Sequence, residues 1–372
     1  MHRIRLMNDG WQFCATEVGV SYQDALGRET WQGVDIPHDF LIHDTKNLYK
    51  TQTGWYRRVL SLDVKKGQRY LIRFEGVYQD STIFLNGQQV GEWKYGYSSF
   101  EVDVTEAVVS GENLLVVRVV HQSPNSRWYS GAGIYRNVYF KTVDSVRFAT
   151  DGIYVTPVKG EKDWQVLIDS EVMADGPFAA EITHTLLDAE GQEVACCRGN
   201  TETEGLVTLK MQGIQPTLWD VDKSYLYTLR SELKAEKASH VAEQKIGFRT
   251  AEYDPEKGFL LNGRVVKLHG VCLHHDLGAL GAAVNKEATR RQLKIMQEMG
   301  VNALRTSHNM PSVEMMDLCD EMGILVDSEA FDMWERPKTT YDYARFFPQW
   351  YEKDVAAWVR RDRNRPSVIL WS

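Results

Sequence analysis

Three textures of apolar and polar residues follow one another along the chain. From residue 1 to 145, short apolar runs are broken by frequent turn signals. "STIFLNGQQVGEW" reads as a hairpin turning at Asn86-Gly87, and "NLLVVRVV" reads as another strand. Trp11, Trp31, Trp55, Trp93 and Trp128 all fall in this stretch. Many short strands with such punctuation predict a β-sandwich of the jelly-roll kind. From 146 to 250 the strand texture continues through "DGIYVTPV", "WQVLIDSEV", "AAEITHTLLD" and "YLYTLRSEL". That spacing predicts a small immunoglobulin-like sandwich, although the Cys…Trp…Cys pattern of antibody domains is missing.

From 251 to 372 the period changes. "FLLNGRVVKLHGVCLHH" reads as a hairpin leading into a buried strand. A helix follows over "NKEATRRQLKIMQEMG", with Asn285 as N-cap, Gly300 as stop, and Leu293, Met296 and Met299 on one face. Strand "VNALRTS", a helix capped by Ser312 and stopped by Gly323, and strand "ILVDSEA" come next. A last helix, "FPQWYEKDVAAWVRRDRN", leads to "SVILWS", whose unbroken apolar run predicts a strand buried on both faces. Four strands alternating with three helices are half of an eight-stranded barrel or part of an open α/β sheet. No Gly-rich phosphate loop follows the first strand, which favours the barrel; "GAGIYR" lies in the all-β region and has no nucleotide role.

Composition narrows the function classes. A net charge of −8 argues against nucleic acid. The run Arg360, Arg361, Arg363 and Arg365 is expected to be a solvated helix end and loop. Five irregularly spaced cysteines suggest reduced thiols, and the N-terminus has no secretory h-region, so a cytoplasmic location is expected. No run approaches the roughly 18 apolar residues of a membrane span.

In a barrel, reactive groups sit just after each strand. Those positions hold His274, His275 and Asp276, then Arg305, Ser307, His308 and Asn309, then Glu329, Asp332 and Trp334. Each has a second reading. His274 and His308 are either packing groups or site residues, and Arg305 either pairs with a barrel carboxylate or faces substrate. Glu329 reads as a hub orienting its neighbours, and Asp332 as a ligand contact that could hold sugar hydroxyls. The Trp334 indole offers a flat apolar face to a pyranose, or is plain core. There is no His-Glu-x-x-His and no Gly-x-Ser-x-Gly; His38 and His43 suit a surface loop rather than a zinc clamp.

"GVYQDSTIFLNGQQVG", "SRWYSGAGIYRNV", "KLHGVCLHHD", "MGVNALRTSHNMPS", "LCDEMGILVDSEAFDMW" and "NRPSVILWS" resemble successive motifs of glycoside hydrolase family 2 along essentially the whole chain. The resemblance implies a jelly-roll sugar-binding-like domain, an immunoglobulin-like domain and the first half of a (β/α)8 barrel. It implies a retaining exo-β-glycosidase, with galactose the expected sugar and glucuronate or mannose the alternatives. Such enzymes use an acid/base and a nucleophile carboxylate about 5 Å apart. The family's acid/base follows a Leu-Trp-Ser-like ending, here Leu370-Trp371-Ser372, so both carboxylates are expected beyond Ser372 and the chain alone is expected to be inactive. The resemblance assigns substrate binding to His274, Arg305, His308, Asn309, Asp332 and Trp334, joined by Arg127 and Trp128 from a first-domain loop. Where magnesium-dependent relatives carry Glu-x-His, Met333 and Glu335 stand here, so no metal or other cofactor is expected. A carbohydrate is the expected partner, and relatives are often oligomeric. Two rival readings are a non-catalytic carbohydrate-binding module and an inactive structural fragment.

Overall fold

The computed structural model describes residues 3–372. The first region is a sandwich of two antiparallel sheets. One sheet is ordered Arg3–Leu6, Val138–Asp144, Gln68–Phe74 and Phe100–Asp103. The other is ordered Gln32–Val34, Trp11–Thr16, Gln52–Leu62, Gly111–His121, Ser81–Leu85 and Gln88–Trp93. Their inward faces bury Trp11, Tyr56, Ile72, Phe74, Ile83, Leu115 and Val117. The hairpin at Asn86-Gly87 has φ of 52° and 84°, the left-handed pair that a tight two-residue turn requires. Asn86 secures it by accepting from Leu114 N at 2.9 Å.

The second region packs a three-stranded sheet (Arg147–Lys159, Trp164–Met173, Gly205–Ile214) on a four-stranded one (Glu193–Thr201, Ala180–Leu187, Tyr227–Ala235, Ser239–Ile246). Period-two burial along Trp164–Met173 and Ala180–Leu187 shows why these segments fold as strands with one inward face.

The third region is a parallel sheet of Gly270–Cys272, Ala303–Arg305, Leu325–Ser328 and Val368–Trp371, in register through Val271, Leu304, Val326 and Val368. Helices Lys286–Glu298, Val313–Met322 and Phe347–Asp362 connect the strands. Asn285 caps the first helix through Ala288 N, Ser312 caps the second through Met315 N, and Gly323 ends the second at φ 72°. Among the described residues, no helix is long and apolar enough to cross a membrane.

Four sequence expectations need correction. Met299 is 74% exposed, because the helix ends at Glu298 and Met299 turns away as its C-cap. The strand Gly270–Cys272 is mostly exposed instead of buried, and in Val368–Trp371 only Val368 is buried while Leu370 and Trp371 are 41% exposed, both strands lying at the edges of this sheet. The arginine run is not solvated. Arg361 donates to Pro311 O at 2.8 Å, Arg363 to Asp151 O at 2.9 Å, and Arg365 to Asp320 at 3.0 Å, tying the last helix to the rest of the molecule. His38 is not a loose loop residue: it is only partly exposed, bonds Tyr56 OH at 2.8 Å and stacks on His43, and burial lowers its pKa to about 4.

The three regions are joined by buried polar contacts. Arg136, fully buried, donates to Tyr97 O at 2.9 Å within the first sandwich and to Met310 O at 2.8 Å beside the barrel. Asp39 accepts from Tyr129 OH at 2.7 Å and from Ala282 N at 2.9 Å. Trp93 Nε1 donates to Asp354 at 2.8 Å, and Trp219 Nε1 of the second region donates to Asp320 O at 2.8 Å.

Candidate active site

The C-terminal ends of the parallel strands converge on one carboxylate. Glu329, just past Leu325–Ser328, accepts from Arg305 Nη2 at 2.8 Å. The His308 ring Nδ1 lies 3.0 and 3.1 Å from its two oxygens. Thr306 Oγ1 accepts from Glu329 N at 2.9 Å, which sets the direction in which the side chain leaves the sheet. Glu329 is therefore a hub, and Arg305 pairs with it instead of standing free.

His274, from the end of the first strand, bonds Ser307 O through Nδ1 at 2.7 Å, leaving Nε2 as its outward nitrogen. Its ring is packed edge-on to His308 with centroids 5.9 Å apart. Trp128, from the first sandwich, stacks on His274 at 4.8 Å and 17°, and Tyr97 OH accepts from its indole N–H at 3.2 Å. An apolar wall from one domain thus closes over two imidazoles of another. Arg127, next in the same loop, forms a bidentate pair with Asp332, its Nε lying 3.0 Å from Oδ2. Burial alone would raise the Asp332 pKa, but hydrogen bonds from Arg127 and Lys338 outweigh it and hold the carboxyl below its usual range.

Arg127, Trp128, His274, Arg305, His308 and Asp332 are thus assembled around Glu329. Two predicted site residues stand apart. Asn309 is buried, its amide turned back to Ser307 O at 3.4 Å. Trp334 is 64% exposed and lies over Phe347 with centroids 6.0 Å apart, so it is not core. His275 points elsewhere: it bonds Ser130 O at 2.9 Å, and enclosure of its ring lowers its pKa to about 4. Met333 and Glu335 offer a buried thioether and an exposed carboxylate, a donor pair unsuited to a hard, oxygen-seeking cation. Lys338 and Tyr97 were not anticipated. Lys338 reaches back six positions to Asp332 within one irregular segment, and Tyr97 meets Trp128 from a loop 31 positions away, so no periodicity marks either contact.

Three family models match in order along the chain. They are "Glycosyl hydrolases family 2, sugar binding domain" over 11–143, "Glycosyl hydrolases family 2" over 148–249, and "Glycosyl hydrolases family 2, TIM barrel domain" over 255–372. The chain belongs to glycosyl hydrolase family 2, with a sugar-binding sandwich, an immunoglobulin-like sandwich and part of a TIM barrel. It is 41% identical to a β-galactosidase of Bacteroides ovatus, the match covering 98% of this chain and 45% of that protein. It is 33% identical to a putative β-glucuronidase of Formosa agariphila, covering 98% of this chain and 36% of that one. A solved family 2 member from Bacteroides cellulosilyticus superposes with TM-score 0.93 at 33% identity, over 99% of this chain and 51% of the other. A β-glycosidase from Bacteroides vulgatus gives 0.90 at 31%, over 99% and 50%. The chain spans about half the length of the solved relatives it matches and between 31% and 55% of the curated ones.

Proposed function

We propose that this chain is the sugar-positioning part of a retaining exo-β-glycosidase whose substrate is a terminal β-galactoside. The observation that carries the reading is the Glu329 hub, which orients Arg305 and His308 beneath the Trp128–His274 stack at the strand C-termini. Such an arrangement presents N–H donors and a flat aromatic edge to a ring of hydroxyls. The galactose choice draws support from the β-galactosidase of Bacteroides ovatus. The five unpaired cysteines support placement in a reducing cytoplasm.

In this reading the chain binds and orients, and residues following Ser372 break the bond. Ser372 is hydrogen-bonded to both Ser328 and Ala330, at 2.9 Å each. These bonds hold the end of the fourth strand beside the segment that carries Glu329. Retaining hydrolysis then requires an acid/base and a nucleophile about 5 Å apart.

The reading is tested by offering chromogenic β-galactosides to this chain and to one extended past Ser372. The short chain is expected to be inert and the extended chain active. Enzyme-like turnover by the short chain would refute the division of labour. An extended chain inert on β-galactosides, β-glucuronides and β-mannosides would refute the hydrolase reading. In the extended chain, Glu329→Gln should lower kcat/KM about 100-fold through misplacement of Arg305 and His308. Unchanged circular dichroism with undiminished kcat/KM would remove Glu329 from the site.

A further inference from the structure

Arg127 and Lys338 come from different domains and meet on one carboxylate. The Asp332 side chain is only 2% exposed, whereas Arg127 and Lys338 are 50% and 42% exposed. Arg127 grips both oxygens, and Lys338 Nζ lies 2.8 Å from Oδ1 while also reaching the Asp332 carbonyl. Two cations facing one anion leave a local surplus of one positive charge. Among the described residues, nothing accepts from Arg127 Nη1, so part of the guanidinium fork stays open to solvent. The cluster also borders the candidate site: Trp128, next to Arg127, covers His274, and the Glu329 charge acts on Arg127.

A buried carboxylate held by a guanidinium and an ammonium has the same chemistry as the acid group of a uronic acid in its receptor. Here the acid group is part of the protein. Being tethered, it competes with any free carboxylate at a high effective concentration. A neutral sugar brings no charge and leaves the trio intact.

We propose that Asp332 is a resident counter-ion that fills an anion receptor formed by Arg127 and Lys338 and so restricts the site to neutral sugars. This rests on the sugar-site reading above. It makes Asp332 a specificity determinant instead of a direct ligand of sugar hydroxyls. Without its charge, the same two cations are free for a uronate carboxylate, and their exposure lets them adjust to it.

The test uses the 372-residue chain, with methyl β-D-glucuronide and methyl β-D-galactoside titrated by ligand-observed NMR. Asp332→Asn should tighten glucuronide binding about 10-fold relative to galactoside, the order expected for a charge-assisted contact. Adding Lys338→Gln to that variant should erase the gain, as should raised salt. A folded Asp332→Asn chain with no glucuronide gain, or no glucuronide binding at all, overturns the proposal and leaves a domain latch. Should Asp332→Asn fail to fold, Asp332→Ser removes the same charge with less bulk and carries the same expectation. Glucuronide gain in the variant, with no galactoside binding by the unaltered chain, would uphold the counter-ion and defeat the galactoside reading. Galactoside binding without glucuronide gain would do the reverse.

Discussion

Arg136→Ala should lower unfolding stability by about 3–5 kcal/mol, because it leaves several buried carbonyls without a donor and opens a cavity. Arg136 Nη1 donates to Tyr97 O at 2.9 Å, Pro311 O at 3.2 Å and Glu75 O at 3.4 Å, and Nη2 donates to Met310 O at 2.8 Å. The guanidinium also lies over the Tyr135 ring, 5.0 Å from its centroid. Alanine would strip donors from these carbonyls and open a void where packing is already tight, since a Cβ built on Gly76 would meet the Arg136 side chain at 2.7 Å. Arg136→Lys should recover little, because one ammonium cannot reproduce a planar fork. Urea denaturation decides the matter: a loss under about 1 kcal/mol would mean that the joint is held elsewhere. Because Met310 follows the His308 loop closely, the same variant should loosen Trp128 from His274 and weaken sugar binding.

Glu75→Gln should stabilise the protein by about 2–3 kcal/mol at pH 8 while changing little at pH 4. Glu75 is buried at the same joint, and among the described residues its Oε2 has no hydrogen-bond partner; the same holds for Glu314 Oε2. Asn137 Nδ2 donates to the other oxygen of Glu314. Burial first, and then the Glu314 charge, raise the Glu75 pKa to about 7; Arg73, Arg361 and Asn137 pull the other way. The folded pKa lies above the ordinary carboxyl value of 4.5, so the folded form holds a proton that the unfolded chain releases. The associated stability is fully present below about pH 4.5 and is lost as pH rises through about 7. Glutamine keeps the neutral shape at every pH. Asp354 is also raised, to about 6, chiefly by burial, so the slope of stability against pH should shrink but not vanish. Denaturation at pH 5 and pH 8 checks this; parallel slopes for both proteins would show that Glu75 does not titrate in this way.

Local features were the legible ones. The Asn86-Gly87 turn, the Asn285 and Ser312 caps and the Gly323 stop each depend on a few adjacent residues, so their chemistry shows in the sequence. The strand–helix alternation is readable for the same reason, and it alone places Arg305, His308 and Glu329 at strand ends. What escaped depends on distance along the chain. Arg127 and Asp332 are 205 positions apart, and no periodicity announces that they meet. The arginine run looked solvated because its partners Pro311, Asp151, Asp317 and Asp320 lie elsewhere in the sequence. The strand at Val368–Trp371 looked buried because a run of apolar residues reports hydrophobicity and not the number of neighbours a strand has.

That fourth strand has one more consequence. It is gripped from outside the sheet: Arg249 donates to the Pro366 and Val368 carbonyls, and Tyr253 OH donates to Ile369 O at 2.7 Å. Both residues were laid down more than a hundred positions earlier, at the exit of the second sandwich. In chain order the two sandwiches come first, so they form a jig that seats the fourth strand in register from outside the sheet as it is made.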